Sequence, residues 1–146
     1  MTAASAHACP CRLPRIALLA TGGTIAGAGP DSTAAAYVAG ALRGQALLQA
    51  VPQLAQLAQV QVHELFALDS ADISDAQRLQ LAQRVAALAR QGDVDGIVIT
   101  HGTDTLEETA FFLSLVLPAT RPVLLTGAMR PASALSADGP GNLYDA

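Results

Sequence analysis

Three short apolar runs each end in a turn of small residues. Ile16–Ala20 runs into Thr21-Gly22-Gly23-Thr24, Ile97–Thr100 into His101-Gly102-Thr103, and Pro122–Thr126 into Gly127-Ala128. Runs this short and this continuously apolar suit parallel strands buried on both faces. Helical patterns lie between them. Ser74 opens a stretch in which Leu79, Ala82, Val85, Ala86 and Ala89 recur at helical spacing, with Gln77 as capping-box partner and Gly92 as the stop. Thr105 to Leu117 reads as another helix, with Glu107 and Glu108 in its first turn and Pro118 beyond its end. Val60–Leu68 supplies a further strand, residues 41–58 two short helices divided at Val51-Pro52, and a last helix begins near Tyr144. This alternation predicts an α/β fold: an open parallel, Rossmann-like sheet with helices on both faces and right-handed crossovers. All carboxyl ends of such strands lie along one edge, and ligands bind there where the connections diverge. The Ile16–Ala20 and Ile97–Thr100 strands are therefore expected beside or near each other at that point.

The composition excludes several function classes. Eight Arg, no Lys and twelve acidic residues give a net charge of -4, so nucleic-acid binding lacks its electrostatic source. Two Tyr, three Phe and no Trp are too few for a stacking platform. No apolar run reaches the roughly 18 residues of a membrane span. The 14% share of charged residues, beside 51% hydrophobic, excludes disorder and predicts that some apolar surface is covered by something outside this sequence. Cys9 and Cys11 are too few for a zinc site or a disulfide scaffold and read as thiols in a flexible tail, residues 1–14. Met1–Ala8 carries no Lys or Arg, and no apolar stretch precedes Arg12, which predicts a cytoplasmic location.

Two stretches carry candidate chemistry: Thr21-Gly22-Gly23-Thr24-Ile25-Ala26-Gly27 and His101-Gly102-Thr103-Asp104-Thr105. Each sets a Thr in a glycine turn just past a strand. A Thr hydroxyl is a weak nucleophile until a neighbouring group activates it, and backbone N–H groups of such turns can form an oxyanion hole. An amide-hydrolysing site fits this pattern. A phosphate cradle fits poorly, since neither the Walker A pattern nor G-x-G-x-x-G is present. His101 beside Asp104 admits a Thr-His-Asp triad, but a lone His at a strand end is more often a packed, hydrogen-bonded group. Asp104 has two readings, as cap of the following helix or as a ligand-binding carboxylate.

The same residues carry a family resemblance. Ala20–Gly27, Gly96–Ala110, Gly127–Pro131 and Ser136–Leu143 resemble, in order and spacing, successive motifs of the bacterial asparaginase/glutaminase family, most nearly its type II branch. The resemblance spans about Arg15 to the last residue. It implies hydrolysis of L-asparagine to L-aspartate and ammonia through a threonine acyl-enzyme, with no metal or organic cofactor. Residue by residue, it makes Thr24 the nucleophile and Tyr37 the loop tyrosine that activates it. Ser70 would hold the substrate α-carboxylate. Thr103 would be the second catalytic threonine, Asp104 the partner of the α-ammonium, and Ala128 the residue whose carbonyl receives the side-chain amide. A buried zwitterion needs such paired groups. Ala71 stands where many relatives have Gln, which bears on the choice between asparagine and glutamine.

Family members are roughly twice this length and gain a smaller second domain, a catalytic Lys and an acid from a neighbouring subunit. Residues 15–146 are thus expected to be an incomplete N-terminal asparaginase domain without the C-terminal one, forming a homotetramer only at full length. The rival expectations are a non-catalytic fragment, a glutaminase-leaning amidohydrolase, and a subunit of a tRNA-dependent amidotransferase.

Overall fold

The computed structural model describes residues 12–33, 36–118 and 120–146, so the reading of Cys9 and Cys11 lies outside the described residues. The elements follow as β1 (Arg15–Gly22), α1 (Gly44–Gln49), β2 (Gln59–Leu68), α2 (Asp75–Arg90), β3 (Gly96–Thr100), α3 (Leu106–Val116), β4 (Val123–Thr126) and α4 (Gly139–Asp145), with short 3₁₀ turns at Thr24–Ala26, Pro52–Gln56 and Ser70–Asp72. The four strands form one sheet in the order β2-β1-β3-β4, and every pairing is parallel. The chain leaves β1 toward β2 on one side, then crosses to β3 on the other. Connections therefore diverge between β1 and β3, the two strands expected to meet there.

Side-chain alternation along the strands builds a core on each face. Ala17 and Leu19 of β1 and Ile97 and Ile99 of β3 point to one face, where they meet Leu81, Val85 and Leu88 of α2 and Leu113 of α3. Leu18 and Val98 point to the other and meet Leu47, Val51, Leu54 and Leu143. All five residues of β3 are buried, whereas exposed positions recur along the edge strand β2.

The helices start and stop where their sequences direct. Ser74 accepts the Gln77 N–H while Gln77 accepts the Ser74 N–H, a complete capping box on α2. Pro52 stands at the start of its 3₁₀ turn. Thr105, not Asp104, is the N-cap of α3. Its hydroxyl makes no cap bond and instead donates to the Ser70 carbonyl at 3.0 Å. The capping reading of Asp104 is thereby corrected: the turn before α3 is closed by Thr105, one residue later. Phe111 and Leu115 on α3 and Leu124 on β4 are exposed. No helix among the described residues is long and apolar enough to cross a membrane.

Candidate active site

Four turns meet at the carboxyl edge of the sheet. The first leaves β1 through Gly22 and Gly23, at φ +107° and +75°, backbone that side chains rarely adopt. A Cβ on Gly23 would run into the backbone of Gly102, so the turns after β1 and β3 touch main chain to main chain. The Gly23 N–H donates to the Leu68 carbonyl at 2.8 Å, and its carbonyl accepts the Gly40 N–H at 3.1 Å. Thr24 follows, and its Oγ1 lies 2.8 Å from the Tyr37 hydroxyl. Tyr37 reaches it because Ala28 and Val38 form an antiparallel bridge, and because Gly27 leaves room for the ring: a Cβ there would lie 2.7 Å from Tyr37 Cδ2.

The second turn follows β2. The Asp69 side chain accepts the Ala71 N–H and sets Ser70 at the start of its 3₁₀ turn. Ser70 is buried, its Oγ has no partner among the described residues, and it packs on Gly102, where a Cβ would stand 2.7 Å from Ser70 Cβ. The third turn, His101–Thr105, is fixed by the His101 N–H on the Thr126 carbonyl at 2.9 Å and by the buried Thr21 hydroxyl on the Thr100 carbonyl at 2.8 Å. Thr103 is half-buried and Asp104 exposed. The fourth turn follows β4. A Cβ on Gly127 would meet the His101 carbonyl oxygen at 2.8 Å and Thr103 Cγ2 at 3.1 Å. Ala128, buried, packs near Gly139, which itself lies against Ile25. Thr24, Tyr37, Ser70, Thr103, Asp104 and Ala128 are thus all carried by this cluster of turns and the loop bonded to it.

The model of the family described as "Asparaginase, N-terminal" matches residues 15–146. The chain belongs to the asparaginase family. It is 49% identical over 135 residues to L-asparaginase 2 of Bacillus subtilis, covering 92% of this chain and 36% of that protein. It is 50% identical over 136 residues to the glutaminase-asparaginase of Pseudomonas fluorescens biotype A, covering 92% and 38%. The crystal structure of a probable cytoplasmic L-asparaginase from Campylobacter jejuni shares the fold at a TM-score of 0.88 and 49% identity, covering 91% of this chain and 41% of that one. The chain spans somewhat more than a third of the length of these relatives.

Within this asparaginase fold His101 is fully buried. Burial chiefly holds its pKa below the ordinary value, with nearby Arg78 acting the same way against the bond to the Gly102 carbonyl. Its Nδ1 lies 2.8 Å from that carbonyl, which makes Nδ1 the protonated nitrogen of a neutral ring. No hydroxyl bonds to it, and Nε2 has no partner among the described residues. The packed reading of His101 describes this arrangement and the triad reading does not. No group of His, Cys, Asp and Glu among the described residues is placed to hold a metal ion.

Two residues escaped the sequence reading. The Asp138 carboxylate accepts the N–H groups of Met129 and Arg130, each at 2.9 Å, and Asn142 Nδ2 donates to the Gly127 carbonyl at 2.9 Å. That the Asp138 carboxylate holds the turn after β4 is visible only once β4 and α4 are placed together.

Proposed function

We propose that this chain carries the nucleophile-bearing part of an L-asparagine amidohydrolase. The observation that supports this best is the 2.8 Å contact between Thr24 Oγ1 and the Tyr37 hydroxyl beside the point where the sheet connections diverge. In this reading Tyr37 helps take the proton as Thr24 Oγ attacks the side-chain amide carbon. The C–N bond breaks, ammonia leaves with that proton, and a Thr24 ester of the aspartyl group forms. Water then cleaves the ester and returns the hydroxyl to Thr24. Ser70 binds the substrate α-carboxylate through its otherwise unpartnered hydroxyl. Asp104 binds the α-ammonium, Thr103 serves as the second threonine, and the Ala128 carbonyl accepts the amide N–H. L-Glutamine is the second candidate substrate, since one relative is named a glutaminase-asparaginase and Ala71 offers no side-chain polar group next to Ser70. Assembly as a homotetramer and a cytoplasmic setting belong to the same proposal. Exposed Phe111 and Leu115 favour the first, and the name of the Campylobacter relative the second. Sedimentation and cell fractionation test them.

The test of the site is covalent capture. An electrophilic amino-acid analogue of asparagine is incubated with the purified chain, and the labelled residue is found by peptide mass spectrometry. Label on Thr24, slowed in Tyr37→Phe and blocked by excess L-asparagine, is expected; label that persists in Thr24→Ala overturns the reading. Ammonia release by the 146-residue polypeptide itself is expected to be on the order of 10³-fold or more below that of an intact asparaginase, because Thr103 has no Lys partner in this sequence.

A further inference from the structure

Asp138 stands at the N-cap position of α4 yet makes no side-chain cap bond. Its carboxylate turns back onto the turn after β4. Oδ2 accepts the Met129 N–H and Oδ1 the Arg130 N–H, both at 2.9 Å, and Arg130 Nε lies 3.9 Å from Oδ1. Asn142, one helical turn along α4, donates through Nδ2 to the Gly127 carbonyl at 2.9 Å and to Asp138 Oδ2 at 3.4 Å. The first turn of α4 therefore grips the backbone on both sides of Ala128.

The geometry of a peptide unit makes this grip consequential. The Ala128 carbonyl and the Met129 N–H belong to one rigid plane, and in a trans unit they point in opposite directions. No described peptide bond is cis. With the N–H end anchored on Asp138, the carbonyl end must face away from that carboxylate. Ala128 is 1% exposed, and no donor among the described residues takes up its oxygen. The anchor is a carboxylate, so the two N–H bonds are of the charge-assisted kind. An N–H bonded to a carboxylate also polarises its own amide and makes the carbonyl oxygen a better acceptor.

We propose that Asp138 is a positioning residue that orients and strengthens the Ala128 carbonyl as acceptor for the substrate's carboxamide N–H, and so favours amides over esters of the same shape. The inference rests on the role given to Ala128 above. A merely structural Asp138 would affect all ligands of the site alike. One that acts through the Ala128 carbonyl affects only ligands that bring an N–H to it.

The experiment compares two ligands by calorimetry on the Thr24→Ala chain, which consumes neither: L-asparagine, and the β-methyl ester of L-aspartate, which lacks the donor. Asparagine is expected to bind about fivefold more tightly than the ester, the worth of one hydrogen bond. Adding Asp138→Asn is expected to weaken asparagine by about that factor and leave the ester within about twofold, so that the preference disappears. Equal losses for both ligands, or an unchanged preference, overturn the inference while leaving the site reading in place. Failure of both ligands to bind the Thr24→Ala chain with Asp138 intact overturns the site reading and this inference with it. Should the Asp138→Asn chain not fold, the Met129 amide proton of the Thr24→Ala chain supplies the readout by NMR. Asparagine is expected to move it downfield as the bond to Asp138 tightens, and the ester to leave it in place. Equal movement with both ligands, or none with asparagine, overturns the inference.

Discussion

The two ends of β1 and β3 are held by different physics. At the amino end the contacts are charged. Asp95 accepts the Arg15 N–H at 2.8 Å in a part-buried bond and pairs with the Arg12 guanidinium at 2.9 Å beside solvent. At the carboxyl end the same strands stop in Gly23 and Gly102, which touch backbone to backbone, and neutral hydroxyls of Thr21 and Thr105 tie the turns to neighbouring carbonyls. Exposed ion pairs tolerate slack, because water and long side chains absorb small displacements. A glycine contact tolerates none, since one methyl group must displace main chain. The candidate site thus sits at the end where position is fixed by space, and the opposite end is fixed by charge.

The sharpest way to break this comparison is Gly23→Ala. Its φ of +75° and the collision with Gly102 are expected to cost about 3 kcal/mol or more, read from urea unfolding, and to abolish labelling at Thr24. A loss under about 0.5 kcal/mol, the size of an ordinary surface change, would show that the turn has room after all. Gly141→Ala is the counterpart in open space. It lies in α4 with nothing near its absent Cβ, so the substitution is expected to stabilise the chain by about 0.5–1 kcal/mol. Asp95→Asn, at the charged end, is expected to have the smallest effect. The Arg15 N–H bond chiefly holds the Asp95 carboxyl below the usual range, helped by Arg12, Arg15 and Arg121 against partial desolvation. A carboxyl with a lowered folded pKa stabilises the fold above its unfolded value, about 4, and the contribution is lost as pH falls through the folded value. The Asn variant is expected to unfold slightly more easily than the parent at pH about 7 and equally at pH about 2, with the gap narrowing in high salt. A gap that widens toward acid would contradict the assignment.

Much of the architecture is legible in the chain because its signals are local. Continuous apolar runs mark β1, β3 and β4, Ser74 and Gln77 mark the start of α2, and Pro52 marks the break after α1. Diverging connections follow from alternating strands and helices, so the placement of β1 beside β3 was also within reach. The candidate site was legible to the extent that its residues lie in the turns that end those strands. Tyr37 is different: it lies 13 positions from Thr24, in a loop without periodicity, and only the family resemblance singled it out. Asp138 and Asn142 were missed because their partners, at 127–130, are bound through backbone atoms, and a backbone partner leaves no trace in residue identity.

By itself the sequence determined which segments become strands and helices, which ends carry glycine turns, and which family the motifs resemble. These depend on apolar period, capping chemistry and backbone freedom, all properties of neighbours in the chain. Only the tertiary structure decided that Asp104 is not a helix cap, that the His101 ring bonds to a carbonyl rather than a hydroxyl, and that the Asp138 carboxylate faces the turn beside Ala128 instead of its own helix. Each of these is a choice among partners that local chemistry permits equally. It is settled by which main-chain groups the parallel sheet brings within about 3 Å, the reach of a hydrogen bond.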